Sequence, residues 1–390
     1  MKKKFRPVII STFAPPALAC IRSWGRQGWE PGMICICSAS DGKPASRYLC
    51  SWEKLTPEKI YTDEGIQIIC DFLKKFHADG IIAINEKVSC WLNDNRHKIP
   101  EDATVWLPEN QVFKEILSKK KQAEVAKNAG MDVLPTHLLH QQTRVEHIES
   151  SHFPLCLRPA SPGSLLPSFK VRIVHSPKQL KAFLQNFHEI KDPIIAQPFL
   201  SFPNLVIHGT RTLSGEHIGM RAFLVERKFE GVTLSIRPFR NSHALLRKCE
   251  DFTDRFRLVG NYHFEFLYDP DTLKAWFLEI NNRFGGTTAK VYFCGYDEPV
   301  LALQAFGIKN VKTVAVTKNV TVSGKTALMK YMIYAIRRRL TELDFPNESV
   351  LRRIYSSICA LVFYKDDVFC RHDIKGSLAM YFANIIAKIR

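Results

Sequence analysis

Residues 261–288 read NYHFEFLYDPDTLKAWFLEINNRFGGTT, and their patterning decides the fold. Two alternating runs rich in aromatic side chains, 261–268 and 274–281, flank Asp269-Pro270-Asp271-Thr272, which has turn chemistry. The pattern is that of a β-hairpin. Pairing about Thr272 sets Glu265 opposite Glu279. Side chains alternate along a strand, so Asn281 shares the face of Glu279, and Arg283 joins it if the strand continues.

Two carboxylates and an amide oxygen then converge on one sheet face, with an arginine beside them. Like charges directly opposed repel, so the arrangement is costly unless a cation sits between them. A few hard oxygen ligands, completed by phosphate oxygens, suit Mg²⁺. A solvated hairpin face that carries two acids fits the same spacing.

The segment FLEINNRFGG, with an acid 14 residues before its Glu279, resembles the metal-binding hairpin of the ATP-grasp superfamily. Within it, the carbamoyl-phosphate-synthetase-like, carboxylate-amine ligase type of branch is the most similar, with Asn282 where that branch usually has proline. The resemblance implies that Glu265, Glu279 and Asn281 hold Mg²⁺ and that Arg283, the expected catalytic residue, contacts the transferred phosphate.

The other family segments follow in order. Residues 110–130 have a helical pattern, and Lys119 lies eleven positions before Gly130, where the family places a phosphate-contacting cation. The same Lys119-Lys120-Lys121 cluster also reads as a solvated helix face. FPLCLRP, residues 153–159, resembles the family's FPxxxRP strand and implies phosphate binding by Arg158, whose planar guanidinium suits bidentate contact. The next segment, ASPGSLLPSFK, stands where a glycine-rich phosphate loop belongs, yet offers Gly163 and Ser164 between two prolines, with Lys170 as added charge. In PIIAQPFL, residues 193–200, the resemblance places Gln197, Phe199 and Leu200 against adenine, with Gln197 in place of the usual acid. Asn204 stands where an acid commonly contacts ribose. Lys228 and Arg237 are basic strand positions that reach phosphate or lie in solvent. His243 and His263 are candidate proton carriers or structural groups, and neither is given a catalytic role.

Before the helix, residues 7–84 alternate strand and helix patterns, as in a parallel Rossmann-like layer. No GxGxxG follows the first strand, which argues against dinucleotide binding. The expected architecture is α/β and α+β: a Rossmann-like preATP-grasp domain over 1–109, a two-lobed ATP-grasp domain over 110–307, and a basic helical C-terminal extension over 308–390. Residues 327–340 and 377–390 read as its amphipathic helices, docked on the core or lying on an anionic surface. Residues 311–390 hold 14 Lys and Arg against 6 Asp and Glu.

Composition is compatible with this architecture. The chain has 390 residues, enough for two or three domains, and is 46% hydrophobic. A net charge of +17 favours acidic partners such as nucleotides, nucleic acid or anionic lipid. Eleven scattered cysteines without CxxC pairs argue for a reducing, cytoplasmic setting. Pro15-Pro16 interrupts an N-terminal run that otherwise resembles a secretion signal. The resemblance thus implies an ATP-dependent ligase with ATP and Mg²⁺ as cofactors, a small carboxylate and a nucleophilic acceptor as partners. A degenerate ATP-grasp protein that binds nucleotide without turnover, and a basic protein acting through its C-terminal helices, are the alternatives.

Overall fold

The computed structural model describes residues 4–38, 41–143, 145, 148–160, 164–240, 242–309, 311 and 319–389. Three main sheets and a two-stranded one, Leu165–Leu166 with Glu189–Ile190, organise them. Near the N-terminus, five parallel strands run in the order Ser51–Leu55, Gly32–Ile36, Pro7–Ser11, Gly80–Ala83, Thr104–Val105. The central strand PVIIS is buried at every position, as expected of a parallel strand covered on both faces. Helices Pro15–Arg26, Asp63–Phe76 and Glu86–Asp94 pack around this sheet. Asn85 caps the last of these by accepting the Lys87 N–H at 2.9 Å, which positions Glu86 in its first turn.

A small antiparallel sheet follows, in the order Arg172–Val174, Leu155–Pro159, Ile194–Pro198, His137–Leu139. It has a separate core, built on Leu139, Leu155, Leu157, Val174 and Ile194. The large sheet has eight strands, in the order Lys365–Asp366, Val322–Ser323, Val232–Phe239, His217–Phe229, Asn204–Arg211, Gly260–Tyr268, Ala275–Asn281, Asp132–Val133. Its outermost pairings, at both edges, are parallel; the rest are antiparallel.

Two details of this frame differ from the expected pattern. The helix expected over 110–130 is two helices, Asn110–Leu117 and Lys119–Asn128. Ser118 breaks it with an extended ψ of 106° and caps the second helix through its hydroxyl, accepting from the Lys121 N–H at 3.4 Å. The C-terminal segment, expected to be helical, also contributes the last two strands on one side of the large sheet, Val322–Ser323 and Lys365–Asp366, and a third helix, Val350–Phe363. Its last helix, Ile374–Ile389, begins beside a buried ion pair: Arg22 Nε donates to Asp373 Oδ2 at 2.9 Å. Among the described residues no helix is long and apolar enough to cross a membrane.

Candidate active site

The hairpin forms as Gly260–Tyr268 and Ala275–Asn281, with Glu265 paired to Glu279 and His263 to Asn281. The register near the turn is one residue shorter: Tyr268 faces Ala275 and Phe266 faces Phe277. A bulge at Leu278 supplies the missing residue and brings the two glutamates level. Without it the two carboxylates would be staggered along the strands.

The acid pair lies on the large sheet, within electrostatic reach of the small one. From the large-sheet side, Lys119 Nζ lies 3.6 Å from Glu279 Oε2. Lys119 starts its helix, where the helix dipole disfavours a cation; the carboxylate opposite offsets that. From the small sheet, the positive charge of Arg158 also acts on Glu279. Burial opposes ionisation of Glu279, but Lys119 and Arg158, then the Asn281 amide and Arg283, outweigh it and hold its pKa below the ordinary value. Glu265 moves the other way: burial first and the charge of Glu279 second push its pKa up. Two facing carboxylates pushed apart in this manner mark a place that gains from a divalent cation. The donor set fits Mg²⁺: oxygens of the paired Glu265 and Glu279, with the Asn281 amide oxygen, which accepts from Arg283 through one lone pair and keeps the other.

Arg283 lies just beyond the end of the strand. Its NH2 donates to Asn281 Oδ1 at 3.2 Å and its NH1 to the Phe284 carbonyl at 3.3 Å. Glu86, from the helix of the N-terminal sheet, approaches its Nε at 3.7 Å. A residue from a helix of the N-terminal layer thus sits against an arginine just past the hairpin, which no spacing in the sequence announces.

The departures at 197 and 204 have local causes. Gln197 Oε1 accepts from Arg158 NH2 at 2.7 Å, while its Nε2 donates to Thr136 Oγ1 at 2.9 Å. A carboxylate could accept the first bond but not donate the second. Asn204 likewise donates to Glu265 Oε2 at 3.2 Å and accepts from Lys228 Nζ at 2.8 Å. An acid there would add a third negative charge beside Glu265. Lys228 thus reaches the site, with its pKa lowered by burial against the opposing pull of Glu265. Arg237 pairs with Glu226 at 2.9 Å, and His243 is exposed.

Ser164 is buried in the small lobe, its carbonyl accepting from the Lys191 N–H at 2.9 Å. Gly163 lies outside the described residues. Phe199 and Leu200 form the half-buried link out of the small sheet, anchored by the Phe199 N–H on the Pro154 carbonyl at 2.7 Å.

Gln122, unmarked in the sequence reading, ties this site together. The buried amide accepts from the Ile280 N–H and donates to its carbonyl, both at 3.1 Å, acting as the next ladder partner of the hairpin strand. Gln122→Ala would leave both groups buried without partners. It is expected to destabilise the protein by about 2 kcal/mol in urea unfolding, an unchanged midpoint being the contrary result.

Behind Glu265 lies a buried polar cluster. His263 stacks on His208 at 5.2 Å between ring centroids, with the His263 Nε2 4.0 Å from Glu265 Oε1. Among the described residues, His208, His263 and Glu298 bring possible metal-ligating atoms together. Both nitrogens of His208 are already engaged, by Glu298 and by Thr287, each at 3.0 Å. The cluster therefore buttresses the hairpin instead of offering three open ligands. Burial, then His208, push the His263 pKa down to about 3, so its ring is neutral against Glu265.

Compared with solved structures, the chain superimposes on an ADP complex of purK, an N5-carboxyaminoimidazole ribonucleotide synthetase. The TM-score is 0.64 at 12% identity, over 91% of this chain and 96% of that one. An N5-carboxyaminoimidazole synthetase from Staphylococcus aureus complexed with ADP gives 0.61 at 15% identity, over 82% of each chain. The chain has the ATP-grasp fold. A biotin carboxylase–β-γ-ATP complex from Campylobacter jejuni shares it, with TM-score 0.58 and 16% identity over 81% of this chain and 74% of that one. No family model and no curated protein matches the sequence. Identities this low carry the ATP-grasp architecture and not residue roles, so the roles must rest on the geometry above.

Proposed function

We propose that this chain is an ATP-dependent ligase that activates a carboxylate as an acyl phosphate for attack by an amine or another nucleophile. The observation that carries the reading is the level pair Glu265 and Glu279 in an ATP-grasp cleft, ringed by Lys119, Arg158 and Arg283. In this reading a carboxylate oxygen of the substrate takes the γ-phosphoryl group and ADP leaves. The nucleophile then attacks the acyl carbon and inorganic phosphate leaves. Lys119 and Arg158 bind the ATP phosphates, and Arg283 holds negative charge on the phosphoryl group in flight. Gln197, Phe199 and Leu200 lie against the adenine, and Ser164 belongs to the loop that covers the phosphates. Glu265, Glu279 and Asn281 would hold Mg²⁺, which would neutralise phosphate charge.

The test is calorimetry of ATP binding with and without Mg²⁺, followed by a screen of carboxylates and amines for ADP release. Glu279→Ala is expected to weaken the Mg²⁺-dependent part of binding by about 10- to 100-fold. Failure of well-folded protein to bind millimolar ATP would sink the ligase reading.

A second reading, nucleotide binding without turnover, is favoured by the engagement of Gln197 and Asn204 with protein groups where the family commonly has acids. ATP binding with no ADP release across the screen would select it. Cytoplasmic residence belongs to the same proposal, and the eleven free thiols support it.

A further inference from the structure

Helix Val350–Phe363 is inverted relative to an ordinary surface helix. The positions it buries are Arg353, Ser357 and Ala360. The positions it exposes are Leu351, Tyr355, Ile358 and Val362, one every three or four residues, followed by Phe363. Leu351 and Phe363 are 81% and 80% exposed. Helix Lys325–Ile336 packs beside it and exposes a second stripe, Met329, Ile333 and Ile336. Both helices bury their other faces in one cluster with Phe229 and Leu234 of the large sheet, so both stripes turn away from that sheet. Scattered exposed aliphatics need no explanation, but two such stripes on helices packed against each other are more than scatter.

Charge around that face is one-sided. Arg337, Arg338 and Arg339 follow Ile336 directly and are exposed. Four of the six acids of the segment are buried, and a fifth is paired with an arginine. Asp344, Asp366, Asp367 and Asp373 are buried, Asp367 on Lys290 at 2.8 Å and Asp373 on Arg22. Glu342 pairs with His175 at 2.9 Å and Glu348 with Arg352 at 3.2 Å.

We propose that the outward faces of helices Lys325–Ile336 and Val350–Phe363 form a docking surface for an anionic phospholipid bilayer. Aliphatic and aromatic side chains enter the acyl boundary while the flanking arginines meet the headgroup phosphates, their stems lying along the apolar surface. A second copy of the chain meeting this face by two-fold symmetry would set arginine clusters near each other without acids to match them. A nucleic acid would satisfy the arginines and leave the aliphatic stripes in water.

The experiment is flotation of the full-length chain with vesicles of phosphatidylcholine alone and of phosphatidylcholine with phosphatidylglycerol, at low and physiological salt. Binding only to the anionic vesicles, weakened by salt, is expected. Replacing Arg337, Arg338 and Arg339 together by serine should lower that binding at least about tenfold. Tyr355→Ser with Val362→Ser should do the same through the apolar term. These side chains face solvent, so unchanged unfolding midpoints and ATP binding separate a docking defect from misfolding. Equal binding to both vesicles, binding to neither, or no vesicle binding with self-association that the Tyr355→Ser, Val362→Ser pair abolishes would each overturn the proposal.

Discussion

Alanine at position 283 is expected to lower turnover of the proposed ligase by about 10²–10³ while Mg²⁺-dependent ATP binding stays within about threefold of wild type. The guanidinium is held by Asn281, the Phe284 carbonyl and Glu86, and its Nε is buried without a hydrogen-bond acceptor. It is thus aimed and only partly satisfied, so an anion arriving in the cleft gains a donor already in place. A group that acts on the phosphoryl oxygens only as they leave ADP lowers kcat and spares ground-state affinity. Arg283→Lys should recover part of the rate, because an ammonium keeps the charge and loses the planar fork. The measurement is steady-state ADP release with the carboxylate and amine found by the screen. A loss confined to the KM for ATP would assign Arg283 to nucleotide binding instead.

The second large effect is on stability. Arg22→Ala is expected to cost about 3–5 kcal/mol in urea unfolding, since it strands a buried carboxylate. Arg22 and Asp373 have side chains 1% and 0% exposed. Asp373 also accepts from the Arg47 N–H at 2.8 Å and from Ser46 Oγ at 2.8 Å, and Arg22 NH1 donates to the Val368 carbonyl at 2.7 Å. Burial raises the Asp373 pKa, but the Arg47 N–H, Arg22 and Ser46 outweigh it and hold the carboxyl below the ordinary 3.8. A folded pKa below the unfolded one means this stabilisation is complete above about pH 4 and is lost as pH falls further. Arg22→Met with Asp373→Leu should recover most of the loss, because neither charge is then stranded. An Arg22→Ala protein as stable as wild type would show that the C-terminal segment docks without this pair.

The hairpin was legible because its chemistry is local: alternation, a turn, and two acids at matching distance from it. Even so, the level placement of Glu265 and Glu279 depends on the Leu278 bulge, which simple pairing about Thr272 hides by arriving at the same partners. The break at Ser118 was obscured by an apolar pattern that continues across it, although a serine is a ready cap. Helix Val350–Phe363 escaped the reading because its polar and small residues face inward. Gln122 and Glu86 act across 158 and 197 positions of chain, through contacts that leave no local signature. The sites at 197 and 204 were visible as departures; that amides are needed there to donate as well as accept emerges only from their neighbours.

Two of the cations that act on Glu279 are attached to different parts of the machine. Lys119 begins the helix that Gln122 bolts to the hairpin strand, whereas Arg158 belongs to the small sheet across the cleft. A swing of the small sheet about the link after Pro198 would carry Arg158 away and leave Lys119 where it is. Neutralisation of the carboxylate would then come in two instalments, one permanent and one delivered by closure, so the gape of the cleft would set how strongly its floor attracts a metal ion.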